Sequence, residues 1–175
     1  MEEMNQIKKL LYPLFILFLT VSCKSTNDSM EVNKKNINQT IDAWHEAASN
    51  AQFDNYFSLM TSDGVFVGTD ATENWQNEAF KTFSKPYFDK GKAWSFSSLQ
   101  RNIYLNKNQD TAWFDELLDT QMKICRGSGV LVKVENEWKI AHYVLSMTIP
   151  NELTTEVIKL KDKIESEEIL KLRAK

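Results

Sequence analysis

The clearest pattern in the chain is a run of three segments, between residues 111 and 149, in which apolar and polar positions alternate. Alternation with a period of two is typical of strands, because successive side chains of a strand point to opposite faces of the sheet. The pattern therefore predicts three consecutive antiparallel strands. It also places Arg126 on the face of Ser128, and His142 on the face of Trp138. The three segments are TAWFDELLD, ICRGSGVLVKV and EWKIAHYVLSMTIP.

Upstream of these strands, apolar residues recur at intervals of three and four, which is the spacing of an amphipathic helix. The pattern predicts helices from about residue 36 to 50, around 53–60 and from 77 to 89, and a charged helix over 151–175. It also predicts a brief strand at 65–67 and a long one at 93–105, with a bulge near Ser97 and Ser98 where the alternation slips. Helices followed by a run of antiparallel strands predict an α+β domain with helices packed on one face of a curved sheet.

The N-terminal residues have the pattern of an export signal. Lys8 and Lys9 precede the apolar run LLYPLFILFLTVS, and Cys23 follows it. This run is shorter than the roughly 20 apolar residues of a membrane span. Ser22-Cys23 resembles the lipobox of bacterial lipoproteins, with Thr20 where leucine is usual. We therefore expect residues 1–22 to be removed and Cys23 to carry lipid, with an uncleaved anchor as the alternative.

The predicted lipoprotein signal implies a location for the protein and leaves the rest of the chain to form a tether and one domain. The chain is expected to be exported and lipid-anchored to a bacterial membrane, on its periplasmic or cell-surface side. Residues 23–35 are polar and predict a flexible tether, followed by one domain at 36–150. The formal net charge of −3 disfavours nucleic acid as a partner, since the chain has no basic stripe. With Cys23 lipidated, Cys125 has no partner for an intramolecular disulfide.

Three passages together resemble the SnoaL-like branch of the nuclear transport factor 2-like superfamily. They are DAWHEAA, the passage FDNYFSLMTSDGVFVG, and the closing pair RGSGVLV and EWKIAHYVLS. The resemblance covers about residues 36–150. It implies three N-terminal helices wrapped by a strongly bent antiparallel sheet that forms a cone, the cystatin-like architecture. It also implies a ligand inside the cone and a homodimer through the outer face of the sheet.

Arg126 and His142 are the first candidates for contact with a ligand. A guanidinium set among branched residues is costly to bury without an anion. That anion is either internal, from Asp70, Asp115 or Glu116, or it belongs to a ligand. His142 is a candidate general base or hydrogen-bond donor near neutral pH, and the alternative is a core histidine satisfied by the backbone.

Asp115 and Glu116 are the other catalytic candidates. Because they are adjacent in a strand, their side chains point to opposite faces, so only one of them can enter the cone. The sequence does not choose between the two, since apolar residues accompany both. A carboxylate among aromatic residues has a raised pKa unless an arginine opposes it. An unpaired one would be a candidate base, whereas one paired with arginine would be structural.

Four further residues complete the predicted ligand-binding set. Asp70 lies in a polar loop that the resemblance places near the mouth of the cone. Trp75 would either cover a bound apolar group or pack the third helix, and Tyr87 on that helix would line the wall. Trp138 is included because it shares the predicted face of His142.

The sequence offers no spacing of His or Cys residues that is typical of a metal site, and we expect no cofactor. The preferred function is membrane-tethered binding of a small, partly apolar molecule. The alternatives are an enzyme of the isomerase or dehydratase type, which would use a pocket carboxylate or His142 as general base, and a dimeric scaffold.

Overall fold

The structure, a computed structural model, describes residues 28–174. Helix α1 covers residues 28–49 and is followed by α2 (Phe53–Ser58), β1 (Met60–Val67), β2 (Asn74–Gln76) and α3 (Asn77–Phe88). Four strands then follow in sequence: β3 (Phe96–Leu105), β4 (Thr111–Thr120), β5 (Lys123–Val134) and β6 (Glu137–Met147). A short 3-10 turn (Asn151–Leu153) leads into helix α4 (Thr154–Arg173).

The six strands form one curved sheet in the order β2-β1-β6-β5-β4-β3. Helices precede and follow it, which confirms the predicted α+β fold. Strands β3 to β6 pair as a meander of antiparallel neighbours. One feature differs from the expectation of a wholly antiparallel sheet, because β1 pairs with β6 in parallel. Strand β1 is already well separated in sequence from β6, so a parallel pairing needs no tight turn.

Helix α1 begins earlier than the sequence pattern predicts. Residues 28–35 are helical, whereas the polar composition of 23–35 predicts a flexible tether. The reason is that Asn33 continues the buried stripe of Ile37 and Ile41 and is itself buried. Its side-chain amide donates a hydrogen bond of 2.8 Å to Gln109 in the turn between β3 and β4. The first turns of the helix are thus held against the sheet. The predicted signal peptide and Cys23 lie outside the described residues.

The core lies between the helices and the inner face of the sheet. Ile37, Ile41, Trp44 and Ala48 form the buried stripe of α1, as their spacing predicts. The sheet contributes alternate residues, so that its inner face is largely apolar. On β4 to β6 these include Phe114, Leu118, Leu131, Ile140, Tyr143 and Leu145.

A bulge in β6 changes which residues face this core. Leu131 pairs with Ile140, but the next residue back, Val130, pairs with His142, so Ala141 is an extra residue without a partner. An extra residue reverses the alternation beyond it. Trp138 and Ile140 therefore point inward, whereas His142 points outward with Val144 and Ser146. The predicted shared face of His142 and Trp138 is wrong for this reason.

Helix α4 lies on the surface of the fold, beside the loop at residues 69–72. None of its residues is buried, and Leu160 and Ile164 are 81% and 73% exposed. Its charged character agrees with the sequence pattern. Within residues 28–174, no helix combines the length and the apolar character that crossing a membrane requires.

Deletion of residues 154–175 should leave the domain folded. Because α4 buries none of its side chains, we expect the free energy of unfolding in urea to change by less than about 1 kcal/mol. Ile41→Ala, which truncates a fully buried side chain of α1, is the positive control and should cost roughly 2–5 kcal/mol. A loss of that size on deletion would show that α4 packs against another surface, in this chain or in a second copy.

Candidate functional site

Glu116 is the one acidic residue that the described chain buries fully. Its Oε1 accepts hydrogen bonds from His45 Nε2 (2.8 Å) and from the Tyr143 hydroxyl (3.0 Å). Its Oε2 accepts one from Arg101 Nε (2.9 Å) and lies 2.8 Å from Nη2 of the same guanidinium. An ionised carboxylate only accepts, so Nε2 of His45 carries a hydrogen. We call Glu116, His45, Arg101 and Tyr143 the Glu116 cluster.

The four members of the Glu116 cluster come from four different elements. His45 lies on α1, Arg101 on β3, Glu116 on β4 and Tyr143 on β6. Arg101 stands directly opposite Glu116 in the β3–β4 pairing. Its guanidinium reaches on to α1, where Nη1 lies 2.8 Å from Asp42 Oδ1 and donates to Asn38. The cluster thus joins the first helix to three strands of the sheet.

The charges of the cluster keep Glu116 ionised. Burial raises the pKa of Glu116, but the hydrogen bond and charge of His45, together with those of Arg101, outweigh burial and hold the pKa below its ordinary value. Burial and the negative charge of Glu116 raise the pKa of Tyr143 well above its ordinary value. The phenol therefore stays protonated and serves as a donor. The buried charge is matched by donors on both of its oxygens.

Gly127 makes room for this arrangement. It lies opposite Glu116 on β5, between Glu116 on β4 and the hydroxyl of Tyr143 on β6. A Cβ at this position would lie 2.9 Å from Glu116 Oε1 and closer still to the Tyr143 hydroxyl. The absence of a side chain is what lets these two residues meet across the strand between them.

A cavity of about 230 Å³ opens at the end of the sheet where β4 turns into β5. It lies below the roughly 300–1,000 Å³ of pockets for drug-sized ligands, which indicates a small ligand. Met122 and Leu145 contribute to its apolar surface, and Thr69, Glu73 and Gln121 are its polar lining residues. Six aromatic rings line it: Phe66, Phe80, Phe83, Tyr87, Trp94 and Phe96.

The cavity and the Glu116 cluster are neighbours separated by aromatic rings. Phe66 stacks on Tyr143 with ring centroids 5.7 Å apart, and Phe96 meets His45 edge-on at 5.6 Å. Phe66 and Phe96 line the cavity, whereas no member of the cluster does. A molecule in the cavity would therefore contact aromatic rings, and the ionised carboxylate would lie behind them.

Two of the predicted site residues face away from the cavity. Arg126 is exposed on the outer face of the sheet, because its neighbours Cys125 and Gly127 take the buried positions of β5. His142 is half-buried on the same outer face, beyond the bulge of β6. The expectation that these two groups point into the cone is wrong.

Burial decides which of the adjacent carboxylates on β4, Asp115 or Glu116, points into the interior. Glu116 points inward, and Asp115 points outward, where it accepts a hydrogen bond of 2.9 Å from Asn102. The inward carboxylate is paired with an arginine, but that arginine is Arg101 and not Arg126. Because its carboxylate is paired with an arginine, Glu116 has the features of a structural residue and not those of a catalytic base.

The remaining predicted residues lie at different distances from the cavity. Tyr87 lines it, and Trp75 stacks behind the lining residue Phe83 at 4.6 Å. Asp70 is exposed in the loop after β1, and its carboxylate bonds to Thr72, which lowers its pKa. Trp138 is buried at the far end of β6, with Lys133 5.0 Å over its ring. The ligand contacts of these residues stay predictions.

Sequence reasoning missed His45, Arg101 and Tyr143. His45 was detectable, because it follows Ile37 and Ile41 at intervals of eight and four on the stripe of α1. Arg101 becomes identifiable only once the β3–β4 register places it opposite Glu116. Within residues 28–174, no group of three His, Cys, Asp or Glu side chains is arranged to hold a metal ion.

Comparison with known proteins identifies the family. The model of the SnoaL-like domain matches residues 37–150, which is most of the chain, and the chain belongs to this family. The predicted resemblance is confirmed. No relative was found among curated proteins.

Solved structures share the fold at low sequence identity. A proposed dehydratase of the NTF2-like family from Streptomyces avermitilis has a TM-score of 0.59 and 13% identity, covering 69% of this chain and 99% of its own. The association domain of CaMKII from C. elegans has a TM-score of 0.57 and 20% identity, and the match covers 69% of this chain and 99% of its own. An NTF2-like protein of unknown function from Pseudomonas putida KT2440 has a TM-score of 0.56 and 15% identity, and the match covers 67% of this chain and 88% of its own. Such identities show the fold alone.

Glu116→Gln should strongly destabilise the domain at neutral pH. Arg101 would then lose its buried ionic partner, and we expect the free energy of unfolding in urea to fall by roughly 3–5 kcal/mol. The matched control is Asp115→Asn, the adjacent carboxylate on the outer face, which should cost less than about 1 kcal/mol. Equal effects of the two substitutions would contradict a stabilising role for the cluster.

The native protein and Glu116→Gln should also differ in how their stability changes at acidic pH. The pKa of Glu116 is lower in the folded protein than in the unfolded chain, so its contribution to stability is complete above the unfolded value of about 4.3. That contribution is lost as the pH falls through the folded pKa. The native protein should therefore lose more stability than Glu116→Gln over this acidic range.

Proposed function

We propose that this member of the SnoaL-like domain family is a lipid-anchored protein that binds a small, largely apolar molecule in the aromatic cavity. The observation that carries the proposal is the lining itself. Six rings, together with Met122 and Leu145, enclose a small space beside a few polar groups. A concave, mostly apolar surface with a few convergent polar groups is typical of ligand sites.

The positions of the predicted catalytic groups support binding over the isomerase or dehydratase alternative. A general base must come within hydrogen-bond reach of the proton that it abstracts. Asp115 and His142 lie on the outer face of the sheet, and Glu116 lies behind Phe66 and Phe96 with donors on both oxygens. None of the three lines the cavity.

The outer face of the sheet supports a homodimer as part of the proposal. Trp113 and Tyr104 stack on each other at 5.9 Å on this face and are each nearly half exposed. Apolar rings that remain uncovered in one subunit are compatible with burial by another. Arg126 and His142 lie on this face, so their role would be in assembly.

Filling the cavity should abolish ligand binding. Ala93 lines the cavity, and Ala93→Phe would add a ring to it, whereas Ala43→Phe adds the same ring at an exposed site of α1. We expect native mass spectrometry of the protein purified from its own membrane to detect a retained small molecule. That molecule should be absent from Ala93→Phe and present in Ala43→Phe. A native protein without a bound molecule, or equal loading of both variants, would contradict the proposal.

Membrane attachment should depend on Cys23 and not on Cys125. The lipobox-like Ser22-Cys23 supports lipidation of the first cysteine, and the second is fully buried on the inner face of β5. Cys23→Ser should move the protein from the membrane fraction to the soluble fraction and remove incorporation of labelled fatty acid. Cys125→Ser should keep both properties. Labelled lipid on Cys23→Ser would show that the anchor lies elsewhere.

A further inference from the structure

We infer that the cavity takes an organic cation: a small amine whose protonated nitrogen lies beside Glu73 and whose apolar body lies against the rings. The inference rests on the proposed function and names the class of ligand for the same site. It follows from the charges in the lining, from the position of one carboxylate and from the chemistry of the ring faces.

The lining of the cavity contains one carboxylate and no basic side chain. Glu73 is half-buried, and neither Lys, Arg nor His belongs to the lining. Two lysines lie nearby but outside it. Lys90 lies 5.8 Å from the ring centroid of Tyr87, and Lys92 lines the adjacent groove together with Asp119. An anion in the cavity would meet a like charge at Glu73 and no basic side chain in the lining, whereas a cation would meet an opposite charge.

The position of the Glu73 carboxylate is set by the local backbone. Gly68 N donates to the Glu73 carbonyl at 3.0 Å, which closes the loop between β1 and β2. The Glu73 side chain then folds back over Gly68, and its Oε2 accepts from the amide of Asp70 at 3.3 Å. A Cβ at residue 68 would overlap this carboxylate, so only glycine leaves it where it stands. Gly68 and Glu73 both line the cavity.

The aromatic rings of the same lining supply the second element of cation recognition. An ammonium is attracted to the faces of Trp, Tyr and Phe, with Trp the best partner. Trp94 lines the cavity, and its ring centroid lies 5.9 Å from that of Phe80. Phe83 and Tyr87, both on α3, also line it, with their ring centroids 5.6 Å apart. Apolar rings and one carboxylate together favour an amine over a carboxylic acid of the same shape.

The test uses three probes with the same phenylethyl body and different charge. They are 2-phenylethylamine, which is a cation at pH 7, 2-phenylethanol, which is neutral, and 3-phenylpropanoate, which is an anion. Dissociation constants are measured by isothermal titration calorimetry on the protein and its variants. We expect the amine to bind about tenfold more tightly than the alcohol, and the anion to bind more weakly than both.

Three variants assign the preference to the Glu73 carboxylate. Glu73→Gln removes the charge and keeps the shape, and Gly68→Ala keeps the charge and displaces it. Both should weaken binding of the amine about tenfold and leave the alcohol within about twofold. Glu135→Gln makes the same charge change in the β5–β6 turn, at the other end of the strands from the cavity, and should leave both probes unchanged.

The outcomes separate this inference from the proposed function. Equal binding of the amine and the alcohol, or tighter binding of the anion, would overturn the inference while the cavity remained a binding site. An amine preference that survives Glu73→Gln and Gly68→Ala would overturn it as well. Failure of all three probes to bind the native protein would overturn both the inference and the proposed cavity.

Discussion

The buried charge of Glu116 is the constraint on which the rest of the fold depends. Removing an ionised carboxylate from water costs several kcal/mol, and only close partners offset that cost. Here the partners come from α1, β3 and β6, so the charge is satisfied only when the helix and the three strands are in their native places. Three features of the fold bring these partners to the Glu116 carboxylate. They are the register of β3 on β4, the absence of a side chain at Gly127 and the position of His45 on α1.

The arrangement divides the interior into two regions with different chemistry. The Glu116 cluster is ionic and buried, with donors on both carboxylate oxygens, whereas the cavity in front of it is aromatic and has its polar groups in the β1–β2 loop and the β4–β5 turn. Phe66 and Phe96 belong to both regions, since each contacts a cluster residue and lines the cavity. A fold of this family supports many functions, so the distinction has to come from such residues and not from the fold. The inner carboxylate belongs to the interior of the domain, and the rings and Glu73 line the proposed ligand site.

The fold was predictable from the sequence because it depends on periodicity. The stripe of α1, the extent of α3 at residues 77–88 and the alternation of β4 and β5 are visible in the order of apolar residues. The bulge at Ala141 was not, because one unpaired residue leaves a short strand pattern nearly unchanged while it reverses the faces beyond it. His142 was misplaced for that reason. Arg126 was misplaced because its branched neighbours on the outer face, Val130 and Val132, are indistinguishable from core residues in the sequence pattern. Residues that act across strands, such as Arg101 on Glu116, require the register, which the sequence alone does not supply.

The most direct test of this account is the titration of the Glu116 carboxyl by NMR in protein labelled with 13C at glutamate, with the signal assigned by its loss in Glu116→Gln. The account predicts a pKa below the ordinary value of about 4.3, because His45 and Arg101 stabilise the ionised form. A carboxyl that remains protonated toward neutral pH would contradict it. Such a group would be desolvated and unpaired, and it would be available for proton transfer instead of holding the helix to the sheet.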